Sequence, residues 1–224
     1  MKKDDILMSF SKAEQPESFK DHAYKEIKKG IIQHKVEPGS MLYERSLSES
    51  LGISRTPLKL ALQQLELEGW IQSVPRKGIL VKTINSRDVD EVFQLRKANE
   101  ILVIELLIPL LDNETIYKIE QMDKQLSDFK EDPIKFVYYD TSFHLFLAEL
   151  SQNNRLYQLI QNLIDHFNWY GFAALKTGLS LDKAYYEHRL IIEGLKARDL
   201  RQTRDAVLSH LDNTYSTIIA NLKD

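Results

Sequence analysis

Residues 37–81 read EPGSMLYERSLSESLGISRTPLKLALQQLELEGWIQSVPRKGILV, and this stretch decides the fold of the first part of the chain. It opens with a Pro-Gly pair, which marks a turn because proline presets φ and glycine permits a positive φ. The spacing then predicts a short helix over 44–51 that ends at Gly52. A longer helix follows, capped by Ser54 or Thr56, with a proline tolerated in its first turn.

The residues on either side complete a three-helix unit with a hairpin. An apolar residue every three to four positions predicts a first helix over 19–34. Beyond the longer helix, 70–73 and 79–83 have the composition of two short strands, joined by the turn VPRKG. Three helices followed by a β-hairpin is the element order of a winged helix-turn-helix.

The longer helix has an apolar side and a cationic side. Four apolar residues recur at i, i+3, i+4 and i+7 and predict a buried stripe: Leu58, Ala61, Leu62 and Leu65. Arg55, Lys59 and Gln63 fall on the opposite side, near the end that a recognition helix places against bases. Arginine can bridge O6 and N7 of guanine, and glutamine can pair with adenine. The alternative is an ordinary amphipathic helix with cations on its exposed face.

Three further cations extend this surface. Arg45 lies in the preceding short helix, where it can face base edges or the backbone. Arg76 and Lys77 lie in the hairpin turn, where they can hold phosphates or enter the minor groove. These positions favour double-stranded DNA as a partner.

Composition excludes several classes of protein. The 224 residues include no cysteine, which excludes a disulfide framework, a thiolate zinc site and a cysteine nucleophile. The chain has no apolar stretch suited to a signal peptide, and its most apolar run, 101–111, is too short to cross a bilayer. We therefore expect a cytoplasmic protein that acts without a membrane.

The charge is divided unevenly along the chain. Residues 1–83 carry 14 Lys and Arg against 11 Asp and Glu, whereas 84–224 carry 16 against 22. A basic segment joined to an acidic one predicts two domains, 1–83 and 84–224, with different partners.

The second part has helical periodicity and no strand pattern. Helices are predicted over 86–110, 113–130, 133–151, 154–176, 181–197 and 200–222. The joints are short, which favours antiparallel neighbours and hence an all-α bundle. The predicted fold class is mostly α, a winged helix-turn-helix followed by an antiparallel helical bundle.

Histidines and one aspartate stand out in the second part. Asp140 and His144 are spaced i, i+4 and so project from one helix face, a geometry that suits either a metal or a local ion pair. His188 and His210 lie in two later amphipathic helices, where a lone histidine is usually structural. His166 is interpreted as packing or pocket lining. Two histidines of the first part, His22 and His34, are expected to face solvent.

The opening stretch resembles the DNA-binding domain of GntR-type transcription regulators over about 16–83. The family pattern is met by Pro38, Gly39, Leu42, Glu44, Leu47, Ser48, Leu51, Gly52, Ile53, Ser54, Arg55, Thr56, Pro57, Leu58, Ala61, Leu62, Leu65 and Gly69. The resemblance implies DNA contacts from Arg45, Ser54, Arg55, Thr56, Lys59, Lys77 and Gly78. Lys59 stands where the family has arginine, so the resemblance does not by itself imply a bidentate guanine contact there.

The second part resembles the FCD effector domain of the FadR-type branch over about 88–222. The order D-x3-H, then E-H-x-x-I-I-E-G-L, then a histidine in the last helix carries the likeness, together with Leu95, Arg96, Glu100 and SQNN at 151–154. The resemblance implies a divalent metal, such as zinc, nickel or manganese, held by Asp140, His144, His188 and His210. Arg96 is implied as the residue that reaches a carboxylated effector, the alternative being a surface arginine that pairs with Glu100.

Together these features predict a homodimeric regulator that binds operator DNA, acts as a repressor, and responds to a small organic acid. One alternative retains DNA binding but gives the bundle no sensing role. Another is a metal-dependent hydrolase, for which Glu187 and Glu149 are the nominal general bases. The hydrolase reading leaves the first 83 residues unexplained, so we do not expect an enzyme.

Overall fold

The computed structural model describes residues 18–128, 132–176, 178, 180–220 and 222. They form two compact units. The first holds the described residues up to Gly30 together with Gly39–Lys82, and the second holds Ile31–Pro38 together with the chain from Thr83 onward. The short segment Ile31–Pro38 therefore packs with the second unit, although it lies far from it in sequence.

The first unit is a winged helix-turn-helix, as the sequence predicts. Its elements are α1 (Phe19–Ile32), β1 (Met41–Leu42), α2 (Glu44–Leu51), α3 (Arg55–Leu67), β2 (Ile71–Val74) and β3 (Gly78–Val81). Strand β1 was not predicted, because two residues carry no periodicity. It pairs antiparallel with β3, in register Met41 with Leu80, and gives the sheet order β1-β3-β2.

The core of the first unit joins α1 and α3 to the sheet. The predicted stripe of α3 is buried, and it meets apolar residues from α1 and the hairpin: Ala23, Ile27, Trp70, Ile71, Ile79 and Val81. Gly52 has φ 64 and ends α2, as expected of a left-handed cap residue.

The second unit is all-α within the described residues. Its elements are α4 (Ser86–Leu107), a short 3-10 turn (Ile108–Leu110), α5 (Asn113–Asp128), α6 (Pro133–Leu150), α7 (Asn154–Lys176), α8 (Leu181–Ala197) and α9 (Leu200–Ile219). A side chain caps four of these helices at their first turn, from Asn85, Asp132, Ser180 and Asp199. Short capped joints thus set antiparallel neighbours. None of these helices combines the length and the apolar character that crossing a bilayer would require.

Helix ends differ from the predicted ones by a few residues. Helix α4 ends at Leu107, since Pro109 cannot continue an α-helix and the chain tightens into the 3-10 turn. Helix α1 ends at Ile32 and α9 at Ile219, both short of their predicted ends. The predicted end of α5 at 129–130 and residue 221 of the last helix lie outside the described residues.

The expectation that His34 faces solvent is wrong. Its backbone is left-handed, with φ 53, and its side chain is buried with 7% exposure. The ring nitrogen Nε2 lies 3.0 Å from the carbonyl oxygen of Trp169 on α7, and Gln33 donates a hydrogen bond to the hydroxyl of Tyr138 on α6. Local periodicity cannot reveal contacts made with helices more than 100 residues away.

Close packing of α8 against α9 depends on Gly194. A Cβ atom at this position would lie 2.5 Å from Oγ1 of Thr203 and 2.9 Å from its Cα and N. Because two of these atoms are backbone, we expect Gly194→Ala to lower the free energy of unfolding by about 1–3 kcal/mol, despite the better helix propensity of alanine. Urea unfolding of the two proteins measures the change.

Gly171→Ala is the matched control, because Gly171 is also a glycine within a helix. Its added Cβ would meet the side chain of Val137 at 2.9 Å, and a side chain can move. We expect a smaller loss than at Gly194. Equal or higher stability of Gly194→Ala would show that the α8–α9 contact is not tight.

Candidate nucleic-acid interface and metal centre

Helix α3 presents its predicted cationic face to solvent. Arg55, Thr56, Lys59 and Gln63 are all exposed, on the side opposite the buried stripe. Ser54 stands at the N-cap with extended backbone, but its side chain makes no capping hydrogen bond. An exposed helix N-terminus flanked by Ser54 and Arg55 suits a phosphate group.

Two of the predicted DNA-contacting cations have acidic neighbours. Nε of Arg45 lies 2.9 Å from Oε1 of Glu49, and Nζ of Lys59 lies 3.9 Å from Oε2 of Glu44. All four side chains are exposed, and such pairs contribute little because water screens them. The two cations can therefore exchange their carboxylate partners for phosphates.

The hairpin turn carries Arg76 and Lys77 at an exposed tip. Arg76 has φ 62, so a non-glycine residue holds left-handed backbone at the turn. Gly78 follows with φ 127, and a Cβ there would lie 2.7 Å from the carbonyl oxygen of Leu42 in β1. The close approach of β1 and β3 thus requires glycine at position 78. This structural requirement is separate from the DNA contact that the resemblance implies for Gly78.

Four predicted ligands come together in the second unit. Asp140 and His144 lie on α6, His188 on α8 and His210 on α9. One donor atom from each lies within 4.8 Å of the others, and the three histidines are buried. The ring centroids of His188 and His210 are 4.4 Å apart. Three helices, of which α8 and α9 are consecutive in the chain, therefore converge on one point.

The outer nitrogen of each ring faces an acceptor. Nδ1 of His188 lies 2.8 Å from the Ala184 carbonyl, Nδ1 of His210 lies 3.1 Å from Oε2 of Glu187, and Nδ1 of His144 lies 2.7 Å from Oε2 of Glu100. An acceptor opposite Nδ1 fixes the proton there, which leaves the lone pair of a neutral ring on Nε2.

The inner nitrogens lack such partners. Nε2 of His144, His188 and His210 are buried and make no hydrogen bond to any described residue. Nε2 of His188 lies 3.1 Å and Nε2 of His210 3.6 Å from Oδ1 of Asp140. Buried polar atoms are costly when unsatisfied, so convergent lone pairs beside a carboxylate are what a divalent cation requires.

The electrostatics of the cluster favour ionised carboxylates. Burial would raise the pKa of Asp140, but the neighbouring His188, His210 and His144 lower it below its ordinary range. Burial likewise opposes ionisation of Glu100, yet the charges of His144 and Arg96 lower its pKa to about 2. Burial and the charge of His188 lower the pKa of His210 to about 4, which suits a neutral ligand. Burial opposes a charge on His188, but the neighbouring Asp140 raises its pKa above the ordinary value, so a metal ion has to displace a proton there.

Arg96 is buried, so its interpretation as a surface residue is wrong, although its pairing with Glu100 is confirmed. The side chain is 3% exposed, and Nε lies 2.7 Å from Oε1 of Glu100. One terminal nitrogen, Nη2, is buried without a hydrogen bond to any residue that the structure describes, and lies 3.8 Å from Oδ2 of Asp140. The guanidinium carbon is 4.6 Å from the centroid of the Phe167 ring.

A cavity adjoins the four ligands. Arg96, Asp140, Thr141 and Thr214 are its polar lining residues, and Tyr170 contributes an aromatic ring that carries a hydroxyl. The remaining lining residues are apolar: Phe93, Phe136, Val137, Phe167, Gly171 and Ala184. It leaves about 20 Å³ in which the centre of a water molecule fits, against roughly 10–15 Å³ for one water. In this conformation the cavity admits water, and a larger ligand requires its side chains to move.

Sequence reasoning missed the two glutamates that orient the ligands. Glu100 lies behind His144. Glu187 lies behind His210 and also accepts a hydrogen bond from Nδ2 of Asn213 at 2.7 Å. Glu187 therefore contacts the outer nitrogen of its histidine, a poor position for a general base, and Glu149 is exposed. His166 packs near Tyr170, with ring centroids 6.4 Å apart.

Comparisons with known proteins agree with this architecture. The model of the bacterial regulatory proteins of the gntR family matches residues 19–81, and that of the FCD domain matches residues 91–213. The HTH-type transcriptional regulator YdhC of Bacillus subtilis is 28% identical over 212 residues, which are 90% of this chain and 92% of that protein.

Two further likenesses point the same way. The HTH-type transcriptional repressor RspR of Escherichia coli K12 is 25% identical over 207 residues, covering 87% of this chain and 86% of its own. The crystal structure of a GntR transcriptional regulator from Rhodococcus sp. RHA1 has the same fold, with a TM-score of 0.74 and 17% sequence identity. The match covers 91% of this chain and 99% of that chain. Since the matching families and relatives are regulators, the chain is a regulator and not an enzyme. It belongs to the GntR family of bacterial transcription regulators, with an FCD domain after the DNA-binding domain.

Proposed function

We propose that this regulator is a homodimeric, cytoplasmic repressor whose hold on operator DNA is set by a small carboxylate bound beside a divalent metal. The single observation that carries the proposal is the set of three buried Nε2 atoms that converge on Asp140 without hydrogen-bond partners among the described residues. The buried Arg96 and the adjoining cavity extend the proposal from metal binding to the sensing of an effector.

The metal would be held by Asp140, His144, His188 and His210. One carboxylate and three neutral imidazoles suit zinc, nickel or manganese, and the donor set does not choose among them. When bound, such an ion supplies Lewis-acid attraction for an anion. The chain contributes the orientation, because the acceptors behind each Nδ1 fix the rings.

Arg96 would hold the carboxylate of the effector. Its NH2 group is buried, free of hydrogen bonds within the described part of the chain, and on the wall of the cavity that also includes Asp140. A guanidinium binds a carboxylate through two parallel hydrogen bonds, which gives direction as well as affinity. The pairing of Nε with Glu100 keeps the fork in place.

Helix α3 would contact the bases of the DNA, and the hairpin would contact its backbone. Arg55, Ser54, Thr56 and Lys59 lie at the exposed start of α3, and Arg45, Lys77 and Gly78 belong to the flanking elements. The basic part of the chain carries a net charge of only +3, so phosphate attraction alone would be weak and sensitive to salt. Two copies in one dimer would double the contacts, on two half-sites.

Regulation requires that the effector binds the DNA-competent and DNA-incompetent arrangements with different affinity. The small cavity of this structure supports such a difference, because ligand entry has to displace packed side chains. A bundle that serves dimerisation alone would need neither the unpartnered nitrogens nor a buried arginine beside them.

The test combines metal analysis with DNA binding. Operator sequences are selected from random duplexes, and binding is then measured for the purified protein with its metal, after chelation, and with a panel of organic acids. We expect about one divalent ion per chain and a shift of operator affinity by an acid. Metal-free wild type, or affinity that no acid alters, would contradict sensing while DNA binding stands.

The DNA surface makes its own prediction. Arg55→Ala combined with Lys59→Ala is expected to weaken binding to the selected operator by about 100-fold, since each lost contact to a base edge costs about 1–3 kcal/mol. Binding to random duplex should fall far less. Fluorescence anisotropy with labelled operator and random duplex at one salt concentration measures both.

Lys29→Ala serves as the control for charge. Lys29 is an exposed cation of α1, so its loss changes the net charge without touching α3. Its effect on operator and random DNA should be equally small. If the double variant retains tight and selective binding, α3 does not read the operator.

A further inference from the structure

The cavity beside Asp140 has one polar end and otherwise apolar walls. Six of its lining side chains are aromatic or aliphatic: Phe93, Phe136, Val137, Phe167, Tyr170 and Ala184. They come from α4, α6, α7 and α8, so the apolar surface surrounds the space on several sides. A ligand whose carboxylate lies at Arg96 must therefore place the rest of its body against hydrocarbon.

Among the described residues, the lining of the cavity offers a ligand one cationic side chain. Arg96 is the cation among the lining residues that the structure describes, and it is already paired with Glu100 and close to Asp140. A second carboxylate would be buried against apolar walls without a partner.

Few hydrogen-bonding groups remain for hydroxyls on a ligand. The hydroxyl of Thr141 lies 2.8 Å from Oδ1 of Asn168, to which it donates, and both residues are buried. Thr214 and Tyr170 supply the other two hydroxyls of the lining residues. A polyhydroxylated acid would leave most of its hydroxyls unsatisfied, and each such group opposes binding.

We propose that the effector of this regulator is a small monocarboxylate with an apolar body, a short aliphatic or aromatic acid, and not a dicarboxylate, tricarboxylate or sugar acid. The inference rests on the proposed function, since it assumes that a carboxylate binds at Arg96. The inference adds to that function the chemical class of the effector, which the lining residues of the cavity select.

The experiment is isothermal titration calorimetry on the full chain reconstituted with Zn²⁺. The probes are acetate, propionate, butyrate and pentanoate, with succinate and gluconate as competitors of the excluded classes. We expect binding to tighten about fourfold per added methylene, because each methylene leaves water for the apolar wall. Succinate, which has the length of butyrate and one more carboxylate, should bind at least about tenfold more weakly than butyrate.

A variant tests the wall directly. Val137→Thr has nearly the same shape but places a hydroxyl among the apolar residues, and Val137 is not a metal ligand. We expect it to weaken pentanoate binding several-fold more than it weakens acetate binding, because acetate places the least hydrocarbon against the wall. Metal content and the far-UV circular dichroism spectrum of the variant are the controls for folding.

The outcomes separate this inference from the function on which it rests. If succinate or gluconate binds more tightly than butyrate, the proposal of an apolar monocarboxylate is wrong, whereas the proposal that the protein senses a carboxylate stands. If affinity does not rise with chain length, the walls do not select the ligand. If no acid of either class binds the metal-loaded protein, the proposed carboxylate site itself fails.

Discussion

Replacing His188 with alanine is expected to lower the affinity of the protein for divalent metal by more than about 100-fold. His188 is fully buried, and its Nδ1 lies 2.8 Å from the Ala184 carbonyl oxygen, so its Nε2 is held in a fixed direction. Loss of residues that merely orient ligands costs about 10–100-fold, so loss of a ligand should cost more. Competition against a chromophoric chelator measures the affinity.

The same variant should lose the thermal stabilisation that metal gives. Binding to the folded state alone raises stability in proportion to the logarithm of metal concentration over Kd. For wild type we expect the melting temperature to rise when Zn²⁺ is added to chelated protein, and for His188→Ala we expect almost no rise. Differential scanning fluorimetry with and without metal makes the comparison.

His166→Ala is the matched control, because it removes a histidine of the same unit that stands outside the four-ligand cluster. Its metal affinity should equal that of wild type. His188→Gln, which fills more of the buried space, guards against a folding defect. If the folded Gln variant binds metal as tightly as wild type, His188 is not a ligand.

Replacing Arg96 with glutamine is expected to weaken binding of a carboxylate effector by about 100-fold while metal affinity falls much less. A charged hydrogen bond contributes about 1.5–3 kcal/mol, and a buried bidentate pair lies at the upper end. Since no ligand atom comes from Arg96, the metal site retains its donors. Calorimetry with butyrate and separate metal titration measure the two effects.

The substitution also has a cost in stability. Arg96 neutralises the buried Glu100, whose pKa it helps to lower to about 2, and removing one partner of a buried ion pair typically costs about 3–5 kcal/mol. Arg96→Lys retains the charge but lacks the planar fork. We therefore expect the lysine variant to fold well and still bind the acid about tenfold more weakly.

Arg87→Gln is the control on the same helix. Arg87 forms the same i, i+4 contact, with Nε 2.9 Å from Oε1 of Glu91, but both side chains are exposed. Its replacement should change neither stability nor ligand binding measurably. Unaltered acid binding in a folded Arg96→Gln protein would show that the carboxylate binds elsewhere.

Much of the candidate site could be read from sequence because its chemistry depends on residue type. The absence of cysteine restricts any metal to histidine and carboxylate ligands. Asp140 and His144 share a helix face by their spacing alone. His188 and His210 were assigned by resemblance, since nothing local distinguishes them from ordinary histidines of amphipathic helices. Their convergence on Asp140 is a tertiary fact.

The orienting groups were beyond sequence reasoning. Arg96 and Glu100 have the spacing of an ordinary surface pair, and that pattern cannot tell that both side chains are buried. Glu187 looked like a general base because it precedes His188 in sequence. In the fold it holds His210 and Asn213 of the following helix. Each of these roles depends on a contact between helices, and the periodicity of a single helix does not predict such contacts.

The sequence by itself determined which segments are helical to within a few residues, which face of the longer helix of the DNA-binding domain is apolar, and that a winged helix-turn-helix precedes a helical bundle. These properties follow from local rules of capping, turn chemistry and periodicity. The tertiary structure alone decided the pairing of Met41–Leu42 with β3, the burial of His34 and Arg96, and the direction in which three imidazoles point. The physical reason is that the burial and orientation of a side chain depend on the residues that pack against it. Those residues come from distant segments, and local sequence patterns do not show which segments meet.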